Sequence, residues 1–452
     1  MANIIAAHVL KESAPSLLNR GEDGTAKECI VGGVRRARTS GQCIKKILRD
    51  YNKQPEIRSA HLEDIVYKVL KKECGDFEDD KFNYLGEFIC KELLGIKTWK
   101  KHSENKQTES SDGGNVIVTN AEELHALIYT PIQVYKDYLS KIDNQTMPEN
   151  VAEENKVAAN NNTPTTVSNA TETNTKTASK GSKKKSDKKT SIEAEMKKRA
   201  EEELNNIRVT IAQAADGKFA ASGVTGTIDG AISVADSISI DELRKTTDFW
   251  TATYTGRFEN QAAEDPFYGL LTDFDTEQKS RFGSETMGES ELHSNVLYRY
   301  MSANLDSFKE ELMKRLPWSH DEMVSTVSDC ISNRVAGLAI ADPTGEQHRH
   351  ASYVQPAILL VEIIKNGNQS MIDWNKVIRQ TATKSIDELG IEHMADYAKD
   401  DSFVLCDEIR RYVLLRGDRK QYEELFKNNG VTVVKNILEM KKIIENEVAN
   451  LI

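Results

Sequence analysis

The spacing of apolar residues changes character several times along the chain. Asn3 to Leu10 is a short apolar run bounded by polar residues and predicts a buried strand. A loop from Lys11 to Lys27 leads to a Gly32-Gly33 turn, and a helix is expected from about Ser40 to Tyr51. Strand, basic loop and helix form the first half of a βαβ unit. From Ile57 to Ile142 the pattern turns helical: HLEDIVYKVLKKE, FNYLGEFICKELLG and AEELHALIYTPIQVYKDYLSKI repeat apolar residues at steps of three and four. Pro131 is expected to kink or divide the last of these, and Asn115 to Thr119 to form a short strand before it.

Strand patterning returns later. Arg208 to Ala212 and Phe219 to Ala235 hold small and β-branched residues, with glycines at 217, 223, 226 and 230 that suggest bulges or a close backbone approach. Residues 240 to 290 read as an irregular insertion, and residues 294 to 305 resume a strand. Leu305 to Leu316 and His320 to Leu338 read as helices around Pro317. Ser352 to Lys365 reads as the last core strand. From Trp374 the chain is expected to be mostly helical, on periodic sites such as Ile409, Tyr412, Leu415 and Leu425.

Between the helical and strand-rich parts, residues 145 to 189 are rich in Asn, Thr, Ser, Ala and Lys, and no aromatic residue occurs between Tyr138 and Phe219. Such a stretch cannot bury enough apolar surface to offset ordering and predicts a disordered linker. Thr190 and Glu193 then resemble a capping box that opens a helix to about Asn206. Without its insertions the order is strand, helix, strand, strand, helix, strand. That is the split βαβ, ferredoxin-like pattern of RNA-recognition folds, and the class is α+β. The expected division is 1–56 and 191–239 with 294–366 as one domain, 57–143 as a helical lobe, 144–190 as linker, 240–293 as an insertion and 367–452 as a helical tail.

Composition narrows the setting. The 452 residues are 38% hydrophobic and 29% charged, as in a soluble protein. No run approaches the roughly 18 to 20 apolar residues of a membrane span. MANIIAAHVL lacks a basic n-region, so no secretory signal is expected. The six cysteines are scattered without a C-x-x-C pair, which argues for a reducing cytoplasm and against a zinc site or disulfide scaffold. The sequons at Asn144, Asn161 and Asn169 then carry no glycosylation meaning.

Charge distribution supplies the candidate chemistry. The chain has a formal charge of −11, yet Cys29 to Arg49 holds six basic residues and no acidic one. Gly32-Gly33 is followed by Arg35, Arg36 and Arg38, then by Thr39-Ser40 at a helix start, then by Gln42, Lys45, Lys46 and Arg49. Capping hydroxyls, unpaired N–H groups and the helix dipole make such a junction a phosphate seat. Lys45 and Arg49 are four apart and share a helix face. The bland alternative is a solvated basic surface beside an ordinary turn. Lys180 to Lys189, six lysines against one aspartate, reads mainly as a solvated tail of the linker.

The run from HVLKESAPSLLNR through GGVRRARTSGQCIKKILR resembles the backbone subunit of type I CRISPR surveillance complexes, in the CasC (Cse4) family of type I-E-like Cascade within the RAMP superfamily. Matching positions include His8, Pro15, Ser16, Leu18, Asn19, Arg20, Gly32, Gly33, Arg35, Arg36, Arg38, Ser40, Gln42 and Lys45. GKFAASGVTGTIDGAISVADSI and DFWTAT are similar to further family blocks, and NVLYRYMSANL and GEQHRHASYVQP resemble it more weakly. Together these blocks span about residues 1 to 360. The linker, the long tail and the enlarged insertion exceed the family pattern.

The resemblance implies an RNA-recognition-type palm, a helical fingers lobe and a β-hairpin thumb. It implies several copies stacked along a guide crRNA, with other Cascade-type subunits and a target DNA strand paired through the guide. On this reading Arg20, Arg35, Arg36, Arg38, Lys45, Lys46 and Arg49 neutralise phosphates, while Asn19, Ser40, Gln42 and Ser222 contact phosphate or ribose. Lys218 and Phe219 hold a phosphate beside a kinked base, and Phe249, Trp250 and Thr251 form the thumb wedge. Some of the arginines could instead meet acidic residues of a neighbouring copy. His8 is expected to be a packed core residue. No cofactor, metal or membrane partner is expected, and no enzymatic activity. The alternatives are a metal-dependent endoribonuclease using a carboxylate such as Asp229, Asp236, Asp265 or Glu22-Asp23, and a generic single-stranded RNA binder.

Overall fold

The N-terminal apolar run becomes the central strand of a nine-stranded sheet. The computed structural model describes residues 1–53, 57–59, 61–96, 99, 117–145, 180–218, 224, 226–253 and 284–452. They divide into two units, Met1–Gln54 with Gly230–Glu310 and Ser319–Ile452, and Pro55–Asp229 with Glu311–Trp318. The strands in chain order are β1 Ala2–Glu12, β2 Glu28–Val31, β3 Val34–Thr39, β4 Ile57–Ser59, β5 Ile117–Thr119, β6 Ile232–Val234, β7 Ser237–Ser239, β8 Lys245–Thr253, β9 Ser284–His293, β10 Val296–Asn304, β11 Ile358–Gly367, β12 Glu408–Leu415 and β13 Thr432–Val433.

In the first unit the sheet runs β13-β12-β11-β1-β10-β7-β3-β2, with β6 also on β10. β1 is buried on both faces from Ile4 to Lys11, so both faces are covered. On one face, Leu10, Tyr298, Leu360 and Val413 join Ile391 and Met394 of helix Ile386–Lys399 in one core. On the other, helix His320–Ile340 packs beside helices Gly41–Asn52 and Ile437–Leu451. Lys11 and Arg299 close the C-terminal end of helix His320–Ile340. Lys11 donates to the Ile340 carbonyl at 2.8 Å, and Arg299 to the Leu338 and Ala341 carbonyls at 3.1 and 2.7 Å. Both also bind the buried carboxylate of Asp342. Cations belong at this end, where carbonyls lack intrahelical partners.

β12 corrects the expectation of a helical tail. Ile409, Tyr412 and Leu415 are three apart, but the same segment alternates, with Arg411, Val413 and Leu415 buried. Antiparallel pairing with β11 decides in favour of the strand, so Ser352 to Lys365 is not the last core strand. Likewise Thr210 and Gln213 form a reciprocal capping box, and Ile211–Asp216 is a short helix instead of the expected strand.

The second unit is built on helices Leu62–Glu73, Asp79–Phe88, Ala121–Gln145 and Lys180–Asn205, with β4 paired to β5. Val66, Leu70, Leu85, Leu127 and Met196 are among its fully buried side chains. Pro131 lies inside Ala121–Gln145, which stays one helix. Helix Lys180–Asn205 begins ten residues before the predicted capping box, so Lys180 to Lys189 is helical, not linker. The rest of the predicted linker, 146–179, lies outside the described residues.

Candidate nucleic-acid interface

The basic stretch folds as a hairpin followed by a helix, rather than as a loop. β2 pairs with β3 across Gly32 and Gly33, whose φ values of +60° and +75° suit glycine. A Cβ on Gly32 would lie 1.8 Å from the Asn375 carbonyl oxygen, so a second constraint fixes that position. On β3 the neighbours Arg35 and Arg36 point to opposite faces. Arg35 points outward beside Glu28 at 3.2 Å, while Arg36 is fully buried. Arg36 donates to the Ser239 carbonyl at 2.9 Å and the Trp374 carbonyl at 3.2 Å, which ties the strand to two distant segments. Burial lowers its pKa, with Asp241 opposing. Arg36 is therefore a structural residue, a correction of the phosphate role expected of it.

The helix start is also occupied differently. Ser40 is the cap residue of helix Gly41–Asn52, but its hydroxyl accepts no capping bond. Asp236 supplies the acceptor: one oxygen takes the Gly41 N–H at 2.7 Å and the other the Arg38 guanidinium at 2.6 Å. Asn19 accepts the Ser40 N–H at 3.0 Å. A carboxylate from 195 positions away thus sits where a phosphate was expected. Gly41 permits the fit, since a Cβ there would stand 2.8 Å from the Val234 carbonyl. Asp236, one of the carboxylates considered for catalysis, is engaged in this way. Asp23 is held by the Thr25 N–H and hydroxyl.

What remains exposed is a surface set. Gln42 and Lys46 are exposed on the helix, Lys46 with Asp50 at 2.7 Å, and Lys45 and Arg49 are half-buried. Arg20 is exposed, with Glu346 at 3.5 Å. Lys218 does not join this set. It is buried in the second unit with Glu123 at 2.9 Å, and Arg315, Gln213 and Thr119 also reach that carboxylate. Burial raises the Glu123 pKa, and Lys218 and Arg315 more than reverse it, leaving it below the ordinary value. Lys218 is thus corrected from phosphate contact to buried counter-ion. Phe219, Ser222 and Asp265 lie outside the described residues.

The predicted insertion contains a two-stranded hairpin, β8 with β9, separate from the large sheet. Its register pairs Phe249 with Glu289, Trp250 with Gly288 and Thr251 with Met287. Alternation puts Phe249, Thr251 and Met287 on one face and Trp250 on the other. Phe249 is 60% exposed and Met287 63%. Trp250 covers Gly288, where a Cβ would lie 2.5 Å from its ring, and Arg349 stands 5.6 Å from the ring centroid. Arg349 also binds Asp248 at 2.7 Å. The two rings expected to act as one wedge are therefore divided.

His8 is a core residue, fully buried between the Tyr298 hydroxyl at 2.8 Å and Glu362 at 3.2 Å. Burial pushes the Glu362 carboxyl up, but bonds and charge from His8 and Arg411 bring it down to about 2.

The sequence model of CT1975-like proteins (Cas_CT1975) matches residues 5–437. The chain belongs to the CT1975-like protein family. No curated protein matches. Among solved structures, a chain of a "CRISPR RNA-guided surveillance complex, pre-nicking" is similar at TM-score 0.62 and 14% identity, covering 99% of this chain and 100% of that one. A chain of a "CRISPR RNA-guided surveillance complex" is similar at TM-score 0.57 and 11% identity, covering 98% and 99%. At these identities the likeness is one of fold.

In this CT1975-like chain the residues missed by sequence reasoning are Asp236 as helix cap and Arg349 as the clamp on the hairpin. Both act across long sequence separations, and neither carries a local signal.

Proposed function

We propose that this CT1975-like chain is a non-catalytic guide-RNA-binding backbone subunit of a cytoplasmic CRISPR surveillance complex, of the CasC (Cse4) type within the RAMP superfamily. The observation that carries the reading is the end-to-end fold likeness to a chain of an RNA-guided surveillance complex. On this reading the neighbours β11-β1-β10-β6/β7, with helices Gly41–Asn52 and His320–Ile340, are a ferredoxin-like palm. The β8–β9 hairpin is the thumb and the second unit the fingers. Arg20, Arg35, Gln42 and Lys46 supply the outer backbone contacts, with Lys45, Arg49, Asn19, Ser40 and Arg38 beside them. Exposed ion pairs exchange a carboxylate for a phosphate at small cost. Phe249 is the wedge that holds a nucleotide aside. Partners are the guide, further copies of the subunit, other complex subunits, and a target DNA strand through the guide.

The test is the nucleic acid that copurifies with the full chain. A uniform RNA population with one shared flank and varied spacers is expected, uncut on addition of magnesium. RNA of mixed length without a shared flank would leave only a generic single-strand binder, and magnesium-dependent cleavage would make the chain a nuclease.

A further inference from the structure

The two ends of the β11–β12 pair carry opposite features. At the end where β11 finishes, Phe403 is 93% exposed and Leu405 64%. This loop is held firmly: the Asn368 N–H donates to the Leu405 carbonyl at 3.1 Å, the Asn368 side chain accepts the Leu405 N–H at 2.7 Å, and its amide reaches the Phe403 carbonyl at 3.4 Å. Gly367 allows the approach, since a Cβ there would lie 2.9 Å from the Leu405 carbonyl. Phe403 and Leu405 thus form a pre-positioned apolar knob, which lowers the ordering cost of docking.

At the other end of the same strands lies a cavity of about 510 Å³, lined mainly by Ile340, Tyr353, Pro356, Leu359, Leu414 and Ile437. Tyr353 is 70% exposed at its mouth. The strands pair from Ile358 with Leu415 to Lys365 with Glu408, so knob and groove stand roughly 25 Å apart and cannot meet within one chain. Charge is complementary as well. The knob segment 400–407 holds Asp400, Asp401 and Asp407 and no cation. Residues 416–420, leaving the groove, hold Arg416, Arg419 and Lys420 against Asp418, and Lys435 precedes its Asn436, with Glu423, Glu424 and Lys427 in between. Arg416 and Arg419 bind Asp387 and Asp418, while Lys420 and Lys435 are exposed.

We infer that the occupant of this groove is the Phe403–Leu405 knob of a second copy of this chain. A knob at one end and its groove at the other make a head-to-tail contact that repeats in one direction, as opposed to a closed twofold pair. The inference rests on the reading that copies stack along a guide, and it adds the contact that joins them.

The experiment uses full-length Phe403→Asp and Tyr353→Asp chains, each alone and mixed, with mass photometry on a guide-length RNA. Both side chains are largely exposed, so folding is expected to survive, and thermal melting checks it. Wild type gives a ladder of bound copies. Each variant alone binds RNA as single copies, with successive binding weakened roughly tenfold or more, as for loss of an interface anchor. The mixture restores pairs, because each variant keeps the feature the other lacks, but no longer ladder. An unchanged ladder, or variants that fail to complement, overturns the docking contact while RNA binding stands. If wild type binds no RNA yet self-associates and both variants abolish this, the RNA reading fails and the contact stands. Cross-links from a photoreactive residue at 403 that land on RNA or another protein, and not near Tyr353, also overturn it.

Discussion

Two groups of cations look alike in sequence and end in opposite settings. Arg35 and Lys46, in the first unit, have side chains 67% and 64% exposed, and their partners Glu28 and Asp50 also touch solvent. Lys218, in the second unit, is 1% exposed against a fully buried Glu123. An exposed pair contributes about 0–1 kcal/mol and leaves the cation able to change partners. A buried pair cannot separate, because either charge left alone in the interior costs several kcal/mol. The burial of the carboxylate decides the role of the cation. Glycine-flanked Lys218 reads like a phosphate ligand only while Glu123, 95 positions away, is out of view.

The strongest test of that contrast is Lys218→Ala. It leaves Glu123 buried with Arg315, Gln213 and Thr119, and should destabilise the second unit by roughly 3 kcal/mol. Urea denaturation followed by hydrogen exchange over Leu62–Glu73 and Ala121–Gln145 measures it. Normal stability with weakened RNA retention would erase the distinction between the two groups.

How much of this was legible follows from range of interaction. β1, the glycine turn, helix Gly41–Asn52, β10 and helix His320–Ile340 are fixed by apolar spacing and local turn chemistry, and sequence reading finds them within a few residues. β12 is ambiguous in the sequence because three-residue steps and alternation coexist in EIRRYVLL, and only its neighbour β11 chooses between them. The burial of Arg36 is hidden in the sequence for a similar reason. In a loop its side chain would face solvent with Arg35, but on a strand the two face opposite ways, and the Ser239 and Trp374 carbonyls take up the guanidinium of Arg36. The phosphate seat at Ser40 was reasonable physics with the wrong anion, since Asp236 reaches it from a distant strand connection.

Buried groups should also dominate the response to acid. His293, at the foot of the hairpin, is lowered to about 4 by burial and by Lys245. Below its ordinary 6.5 the unfolded chain takes up a proton that the folded chain refuses until about 4. Stability therefore falls as pH falls across that window, by roughly 3 kcal/mol. Glu362, held at about 2, adds a second loss as pH falls from its ordinary 4.5 toward 2. His293→Gln should flatten the first window and leave the second, read by denaturation midpoints from pH 7 to 3. An unchanged profile would show that His293 is protonated without penalty.

The hairpin rings repeat the contrast on a smaller scale. Trp250→Ala removes packing over Gly288 and the Arg349 contact, and should loosen the hairpin by about 1–2 kcal/mol. Faster amide exchange in β8 and β9 would report it. Phe249→Ala should change stability by less than about 0.5 kcal/mol, because the ring is mostly exposed. Its expected effect is on bound RNA, a blurred periodic footprint with the guide still retained. Equal loss of hairpin protection in both variants would mean that the rings form one packed unit.

The smallest effect is expected where the sequence signal was strongest. Arg35→Ala with Lys46→Ala removes two exposed cations whose present partners, Glu28 and Asp50, stay hydrated without them. Thermal stability should therefore move by no more than about 0.5 kcal/mol. RNA affinity should weaken by a similar factor for every spacer, since phosphate contacts carry no base information. If each side chain neutralises one phosphate, the slope of log affinity against log salt loses roughly 0.7 per contact for a single strand, so the pair should reduce it by about 1.4. This number discriminates where bare affinity does not. A cation that merely raises the local potential changes binding at low salt and leaves fewer released counter-ions to lose. Arg36→Ala is the internal control: it should cost stability through the Ser239 and Trp374 carbonyls, and leave the slope of the still-folded fraction unchanged. If Arg36 altered the slope and the Arg35–Lys46 pair did not, the assignment of inside and outside faces on β3 would have to be reversed.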